Sequence, residues 1–167
     1  MESNNITRIT SAHSSVIVLH DLSEDSLILT KRSEKLRNHP GEVCFPGGFH
    51  EAKDQNLYST ALRELNEELG ITADRIRLIK KLKVERTLGG LIIHPWLASI
   101  ETVVPYTMNF QEVSALISVP MLLVKNLQNY KKMVIEKKGL CFVTCQFIAS
   151  KELIWGATAR IMKQLAS

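Results

Sequence analysis

The segment Ala61-Leu-Arg-Glu-Leu-Asn-Glu-Glu-Leu-Gly70 places three glutamates at helical spacing. Glu67 and Glu68 follow Glu64 by three and four residues, and residues at these intervals lie on one face of an α-helix. Like charges placed this way destabilise a helix by roughly 0.2–0.5 kcal/mol per pair. A divalent cation such as Mg²⁺ would remove that repulsion, because it prefers carboxylate oxygens and often shares them with substrate phosphates. We therefore predict that the reactive centre lies on this stripe.

The flanking residues predict one helix that follows a glycine-rich loop. Asn56 is a good amino cap, and Gly70 can end the helix in a left-handed conformation. An apolar stripe at spacings of three and four residues would face the core: Tyr58, Ala61, Leu62, Leu65 and Leu69. Residues Asn38 to Phe49 include two prolines and three glycines. We predict a loop there, with a short extended piece at Glu42-Val-Cys-Phe45.

Apolar and β-branched runs predict β-strands on both sides of this helix. The predicted strands are Ser15–His20, Ser26–Arg32, Ile76–Val84, Leu91–Val104, Gln111–Ile117, Met133–Glu136 and Leu140–Ile148. Pro95 indicates an edge strand or a bulge, and the last two strands form a hairpin around Lys137-Lys-Gly139. Val119–Val124 is predicted to form a short helix, and Ala157–Ala166 is predicted to form a closing amphipathic helix. The expected fold class is α+β, a mixed sheet with helices against it.

The composition of the chain suits one globular domain, residues 1–167. A net charge of +4 favours anionic ligands, but the short basic runs are typical of solvated surface and predict no nucleic-acid groove. No apolar run reaches the roughly 18 residues of a membrane span, and Met1–Thr10 lacks the apolar centre of a secretion signal. We predict a cytoplasmic protein without membrane partners, in which Cys44, Cys141 and Cys145 are reduced thiols.

The glycines, the aspartate and the acidic stripe together resemble the Nudix box, the loop–helix–loop signature of Nudix hydrolases. The matching elements are Gly48, Asp54, Arg63-Glu64, Glu67-Glu68 and Gly70. Asp54 stands where Glu is usual, and eight residues separate it from Arg63, one more than in the usual box. The coenzyme A diphosphatase subfamily is similar in both respects. Residues Ile28 to Gly48 also resemble that subfamily's second signature, with Ile28 in place of the usual Leu.

The resemblance implies a Nudix fold, an α/β/α sandwich in which a mixed sheet carries a catalytic loop–helix–loop and a carboxyl-terminal helix. It implies an enzyme that splits coenzyme A, or its derivatives, into 3′,5′-ADP and 4′-phosphopantetheine, with Mg²⁺ or Mn²⁺ as cofactor. Divalent cations suit this chemistry independently, because they screen the diphosphate charge and lower the pKa of a coordinated water. Nudix enzymes are often dimers, so the resemblance also allows a homodimer.

Within the box, the resemblance assigns roles to individual residues. The implied metal ligands are Glu64, Glu67, Glu68 and the carbonyl region of Gly48. Glu64 is also a candidate general base, and Glu67 belongs to the same catalytic group. Arg63 is expected to hold the carboxylates by charge-assisted hydrogen bonds. Gly47 and Gly48 are expected to let the backbone approach closely.

Three further candidates lie outside the box. Glu112 lies well outside the box, at the start of a predicted strand. Several Nudix enzymes supply an extra carboxylate from such a place, so Glu112 is a further ligand or base. Arg32 and Arg37 could bind the 3′-phosphate of coenzyme A, because guanidinium suits bidentate recognition of phosphate. The alternative for both arginines is pairing with carboxylates at the sheet edge.

The sequence also allows two functions other than hydrolysis of coenzyme A. One is hydrolysis of another nucleoside diphosphate derivative, such as ADP-ribose, NADH or a dinucleotide; the second signature argues for coenzyme A instead. The other is nucleotide binding without catalysis, which the intact set of Glu64, Glu67 and Glu68 argues against. Three glutamates on a helix without the glycine pair and Arg63 would usually be solvated surface.

Overall fold

The computed structural model describes residues 12–167, and this part of the chain forms eleven strands and three α-helices. The strands are β1 (His13–Asp21), β2 (Ser26–Arg32), β3 (Val43–Cys44), β4 (Gly47–Phe49), β5 (Arg77–Lys81), β6 (Glu85–Arg86), β7 (Ile92–Ile100), β8 (Val113–Pro120), β9 (Tyr130–Lys137), β10 (Leu140–Phe147) and β11 (Ile154–Trp155). The helices are α1 (Leu57–Leu69), α2 (Met121–Val124) and α3 (Gly156–Lys163). The prediction made for Met1–Thr10 lies outside the described residues.

Eight of these strands form one mixed sheet. Its central path runs β3-β2-β1-β7-β5, while β4, β6 and β8 pair with β1, β7 and β2. β1 and β7 are parallel, and the neighbouring pairs are antiparallel. The nearly continuous apolar run of β1 suits a central strand that is buried on both faces. The predicted α+β class with a mixed sheet is confirmed.

Helix α1 covers one face of this sheet. Asn56 caps its amino end by accepting a hydrogen bond from the Ser59 N–H at 2.8 Å, and Gly70 ends it with φ of 63°. Both caps are as predicted from the sequence. Buried α1 residues pack with apolar residues of β1, β2 and β7: Ala61, Leu65, Leu69, Ile17, Leu19, Ile28 and Ala98. With 13 residues α1 is the longest helix, and no helix in residues 12–167 is long and apolar enough to cross a membrane.

The opposite face of the main sheet packs against a second sheet and α3. This second sheet has the order β11-β10-β9 and contains the predicted hairpin. Its apolar residues and those of α3 share one cluster with the main sheet: Val16, Val18, Leu27, Leu29, Phe147, Ile154, Ile161 and Met162. Because side chains alternate along a strand, β1 supplies neighbouring residues to both faces.

Of the two alternatives predicted at Pro95, the edge strand is wrong, whereas an irregularity fits the structure, because the β5–β7 ladder shifts register between Leu78 and Lys80. β7, which contains Pro95, lies inside the sheet between β1 and the pair β5 and β6. The ladder is interrupted opposite the proline, in the gap between β5 and β6, where the Leu82 N–H donates to the Pro95 carbonyl at 2.9 Å. The side-chain amide of Gln164 bonds the N–H and carbonyl of Lys83 at 2.9 and 3.0 Å. An interior strand therefore tolerates proline because its partner is broken there.

Candidate active site

Three carboxylates meet beside the glycine-rich loop. Glu64 and Glu68 extend from α1, and Glu112 lies in the turn before β8. One oxygen of each lies within 4.8 Å of the others. Hard divalent cations bind clustered carboxylate oxygens of this kind. Among the described residues, this is the group whose donor atoms are close enough to hold a metal ion.

A short backbone relay brings Glu112 to the helix. The Asn109 N–H donates to the carbonyl of Glu68 at 2.9 Å, and the Asn109 carbonyl accepts from the Glu112 N–H at 3.0 Å. The Asn109 side chain also accepts from the Gln111 N–H at 3.2 Å. Asn109 thus joins the end of α1 to the turn that carries the third carboxylate. Sequence reasoning missed Asn109; its signal is the preference of asparagine for turns.

The two glycines of β4 allow the loop to lie directly against the carboxylates. A Cβ on Gly48 would collide with the carboxylate of Glu64, and one on Gly47 would collide with the Ser15 carbonyl and Val16. The Gly47 N–H faces Glu68 Oε1 at 3.5 Å. Glycine is therefore required at both positions because the backbone of β4 lies very close to its neighbours. A side chain on Gly48 would displace the Glu64 carboxylate, and one on Gly47 would displace β1.

The environment of the glutamates disfavours negative charge. Burial is the main cause that raises the pKa of Glu68 to about 8, and the charge of Glu64 adds to it. Burial also raises the pKa of Glu64 to about 7, against the lowering effect of Arg63. Glu68 Oε2 is buried and has no hydrogen-bond partner within residues 12–167. A buried acceptor without a donor, beside two more carboxylates, fits a divalent cation.

Arg63 connects the loop, the helix and the acidic group. It donates to both oxygens of Asp54 at 2.8 and 3.1 Å, to the Phe49 carbonyl at 3.0 Å and to Glu64 Oε1 at 3.0 Å. The Arg63 guanidinium is the first cause that holds the pKa of Asp54 well below its usual range. Asp54 therefore orients the loop and Arg63, and its carboxylate is outside the group of clustered oxygens.

Glu67, the remaining predicted ligand, has a different position. Its side chain is 43% exposed and lies 3.3 Å from Arg63 Nη1. It is not among the three carboxylates whose oxygens cluster. The helical spacing that predicted one acidic stripe therefore leads to two arrangements, with Glu64 and Glu68 turned to the glycine loop and Glu67 nearer to solvent.

The two predicted phosphate-binding arginines lie near the end of β2. Arg32 donates to the carbonyls of Asn38 and His39 at 3.0–3.2 Å. Its partners are loop carbonyls rather than the carboxylates of the alternative interpretation. Arg37 is exposed and forms no side-chain hydrogen bond or ion pair with the other described residues. Arg32 thus stabilises the loop that precedes the glycine pair.

Comparisons with known proteins agree with this architecture. The family model of the NUDIX domain matches residues 11–118. "Uncharacterized Nudix hydrolase NudL" from Yersinia pestis (strain Pestoides F) is 34% identical over 143 residues, covering 86% of this chain and 72% of that protein.

Two solved structures share the fold. DR0079 from Deinococcus radiodurans has a TM-score of 0.63 at 15% identity, covering 99% of this chain and 89% of the other. The NUDIX domain of Shewanella oneidensis NrtR, in complex with ADP ribose, has a TM-score of 0.52 at 20% identity, covering 67% and 74%. The mixed sheet with its loop–helix–loop is therefore the Nudix fold. The chain belongs to the Nudix hydrolases, enzymes that act on the diphosphate bonds of nucleoside derivatives and generally need a divalent metal ion.

Proposed function

We propose that the chain is a coenzyme A diphosphatase, which hydrolyses coenzyme A or its derivatives to 3′,5′-ADP and (acyl-)4′-phosphopantetheine. The observation that carries diphosphate hydrolysis is the cluster of Glu64, Glu68 and Glu112 oxygens beside the glycine loop. The choice of coenzyme A depends on the second signature, Ile28 to Gly48, and on the longer interval between Asp54 and Arg63.

The proposed metal ligands combine the clustered carboxylates with the predicted box residues. They are Glu64, Glu68, Glu112, Glu67 and the carbonyl of Gly48. When bound there, Mg²⁺ or Mn²⁺ would neutralise diphosphate oxygens and lower the pKa of a coordinated water. The observation that favours a cation at this place is the buried Oε2 of Glu68, which has no hydrogen-bond donor among residues 12–167.

Proton transfer and positioning are proposed for Glu64, Glu112 and Arg63. Glu64 is proposed to take the proton from the attacking water, because its carboxylate belongs to the acidic cluster where that water would be held. Glu112 is the second candidate for this role, since its carboxylate lies within 4.8 Å of Glu64. Arg63 positions Glu64 by its hydrogen bond of 3.0 Å and keeps the loop close to the helix. Catalysis would then come mainly from positioning and electrostatic stabilisation.

Arg32 and Arg37 are proposed to bind the 3′-phosphate of coenzyme A. Arg32 is held by loop carbonyls at the end of β2, and Arg37 lies five residues further along the same loop. Guanidinium groups bind phosphate through charge-assisted hydrogen bonds, which are stronger than neutral ones. A substrate that lacks the 3′-phosphate should therefore lose this part of its binding energy.

A substrate panel tests the proposal. The purified protein with Mg²⁺ would be incubated with coenzyme A, acetyl-coenzyme A, ADP-ribose, NADH and a dinucleotide, and products identified by mass spectrometry. We expect 3′,5′-ADP from the first two. If ADP-ribose, which the NrtR domain binds, or another substrate is cleaved in preference, that compound would replace coenzyme A as the proposed substrate. Absence of turnover for all five would favour a non-catalytic nucleotide-binding module.

Kinetics of Arg32→Ala and Arg37→Ala test the phosphate contact. We expect KM for coenzyme A to rise by about tenfold, with a smaller change for 3′-dephospho-coenzyme A, because a lost charged hydrogen bond is worth roughly 1.5–3 kcal/mol. Arg77→Ala, on exposed β5, is the matched control. Equal changes for both substrates would remove these arginines from phosphate recognition.

We further propose that residues 1–167 form one Nudix domain in the cytoplasm. One apolar cluster includes residues from β1, β2, β10, β11 and α3, which favours a single domain. Cys44, Cys141 and Cys145 are free thiols, as is usual in a reducing compartment. The proposal includes neither a nucleic-acid nor a membrane partner.

A further inference from the structure

A basic cavity lies between the second sheet, β6 and α3, on the side of the main sheet opposite α1. Its volume is about 600 Å³, within the range of roughly 300–1,000 Å³ that is typical of ligand pockets. Its charged lining residues are Lys131, Lys132, Arg160, Lys163 and Glu85. All the described residues that line it lie outside the Nudix box and the carboxylate cluster. The cavity is therefore separate from the proposed catalytic site.

The positive charges converge from two elements. Lys132 of β9 pairs directly with Cys145 of β10, so their side chains lie on the same face of the second sheet. Arg160 and Lys163 extend from α3 and are three residues apart, on one face of that helix. Burial raises the pKa of the Cys145 thiol, whereas the charges of Lys163 and Arg160 act in the opposite direction. Both α3 cations are therefore close to the thiol beside Lys132.

Arg160 is fixed in the wall of the cavity, and its charge is already paired. It donates to Glu85 Oε2 at 2.8 Å, to the Thr144 hydroxyl at 2.7 Å and to the Arg86 carbonyl at 3.0 Å. The three lysines, by contrast, are exposed and form no ion pair with any residue in 12–167. The cavity thus has three ammonium groups without a counter-charge, in a chain whose net charge is +4.

The concave shape distinguishes this group from ordinary charged surface. A lysine pair on a strand is usually solvated, and the sequence alone favours that interpretation of Lys131-Lys132. In the structure, however, Lys163 approaches the same cavity from another layer, and buried Cys145 lies in its wall. A cleft that is lined by one sign of charge and has walls of low dielectric constant concentrates ions of the opposite sign. The arrangement therefore favours an anionic ligand.

We propose that this cavity binds a small molecule that carries a diphosphate group. A phosphate group has a charge of roughly −1.5 to −2 near neutral pH, so two such groups match the three ammonium groups. Ammonium and guanidinium groups donate charge-assisted hydrogen bonds to phosphate oxygens. Val143 lines the same cavity and is 66% exposed, so it offers an apolar surface to the organic part of the ligand. A ligand bound here connects α3 with the second sheet.

Titration calorimetry of the metal-free protein with inorganic pyrophosphate tests the proposal. EDTA and constant ionic strength are used, because without a cation the carboxylate cluster repels the anion. We expect saturable binding that Lys132→Ala/Lys163→Ala weakens at least about tenfold, since each substitution removes a charge-assisted hydrogen bond. Lys80→Ala/Lys125→Ala is the matched control, because it removes the same charge from exposed residues outside the cavity. The control should bind like wild type.

Two further variants separate a ligand contact from damage to the fold. Glu85→Gln removes the carboxylate from the lining, so it should strengthen pyrophosphate binding severalfold, whereas structural damage would weaken it. Lys132→Arg/Lys163→Arg keeps both charges and should bind within about threefold of wild type. Circular dichroism verifies that each variant is folded. Because only binding to metal-free protein is measured, the result does not depend on the reaction proposed above.

Nuclear magnetic resonance locates the bound anion. Pyrophosphate should shift the backbone amides of Val143–Cys145 and Arg160–Gln164, and leave those of Gly47, Gly48 and Glu64–Glu68 unchanged. The proposal is overturned if wild type shows no saturable binding, if the double alanine variant binds like its control, or if the shifts occur at the carboxylate cluster. Equal affinity for citrate would overturn the choice of diphosphate. Tighter binding of an RNA oligonucleotide that the same lysines support would overturn the choice of a small molecule.

Discussion

Arg63 binds Asp54 by two parallel hydrogen bonds, from Nε to Oδ1 at 2.8 Å and from Nη2 to Oδ2 at 3.1 Å. Asp54 also accepts from the Glu51 N–H and the Thr60 hydroxyl, both at 2.9 Å. Both carboxylate oxygens of Asp54, the residue that stands where the usual box has Glu, therefore accept hydrogen bonds. Together, Asp54 and Arg63 attach the glycine loop to α1.

Replacing Asp54 should therefore destabilise the protein. In Asp54→Asn one charged acceptor is lost, and we expect the free energy of unfolding to fall by about 1.5–3 kcal/mol, as for a hydrogen bond to a charged group. Glu51→Gln is the control, because Glu51 is half-exposed and lies 3.6 Å from Arg63. Urea unfolding followed by circular dichroism measures both. Equal losses in the two variants would contradict this role of Asp54.

Glu68→Gln and Glu67→Gln should differ in their effect on metal binding. Glu68 is in the carboxylate cluster and Glu67 is not, so Glu68→Gln should reduce Mg²⁺ affinity and lower kcat by about 10²–10³, the typical cost of losing one group that stabilises the transition state. Glu67→Gln should have the smaller effect. Titration calorimetry with Mn²⁺ and steady-state kinetics test this. Unchanged turnover in Glu68→Gln would refute its assignment as a ligand.

The stability of the metal-free protein should depend on the charge of Glu68. Its pKa is raised to about 8 by folding, from 4.5, so the folded state holds a proton that the unfolded chain releases. This contribution to stability is complete below about pH 4.5 and is lost as the pH rises through about 8. Glu68→Gln has no such proton to lose.

Thermal unfolding in EDTA can test this difference. Glu68→Gln and wild type should have similar Tm at pH 5, and the variant should become increasingly more stable than wild type towards pH 8.5. Added Mg²⁺ should raise the Tm of wild type more than that of the variant at the higher pH. A Tm difference that does not change with pH would contradict the burial argument.

Gly48→Ala should disrupt the site while the fold remains. The added Cβ would collide with the Glu64 carboxylate, which must then leave its present position beside Gly48 in the acidic cluster. We expect activity to fall by at least about tenfold, since small misplacement of reacting groups is costly. Gly89→Ala is the control, because a Cβ there meets only the distant Thr87 hydroxyl. Similar activity of the two variants would show that close approach at Gly48 is unnecessary.

Most of the fold could be predicted because its strongest signals are local. The caps Asn56 and Gly70 and the apolar stripe define α1 without reference to other segments. Pro95 shows the limit of such reasoning. A proline indicates an edge strand only if the neighbouring strands would run past it without a break. Here the neighbour is broken between β5 and β6, and local sequence does not specify that pairing.

The candidate site could be predicted only in part, again because only its local signals can be found in the sequence. Helical spacing predicts that Glu64, Glu67 and Glu68 share a stripe, but a stripe is wide enough to include both buried and exposed positions. The side chains that cluster are those that lie beside Gly48 and Glu112, and Glu112 is brought to α1 by tertiary contacts. The contrast between Glu67 and Glu68 could therefore not be predicted from periodicity alone.

The backbone relay through Asn109 has a consequence for ion selection. Because main-chain bonds connect Glu68 to Glu112 through Asn109, we expect the backbone spacing of the two acidic positions to be set when the protein folds, so that only their side chains adjust to an occupant. A site with little freedom to adjust favours ions by radius, and Mg²⁺ binds oxygen at about 2.0–2.1 Å whereas Ca²⁺ needs about 2.3–2.6 Å. Loosening the turn, for example by Asn109→Gly, would thus widen the range of ions accepted before it abolished binding.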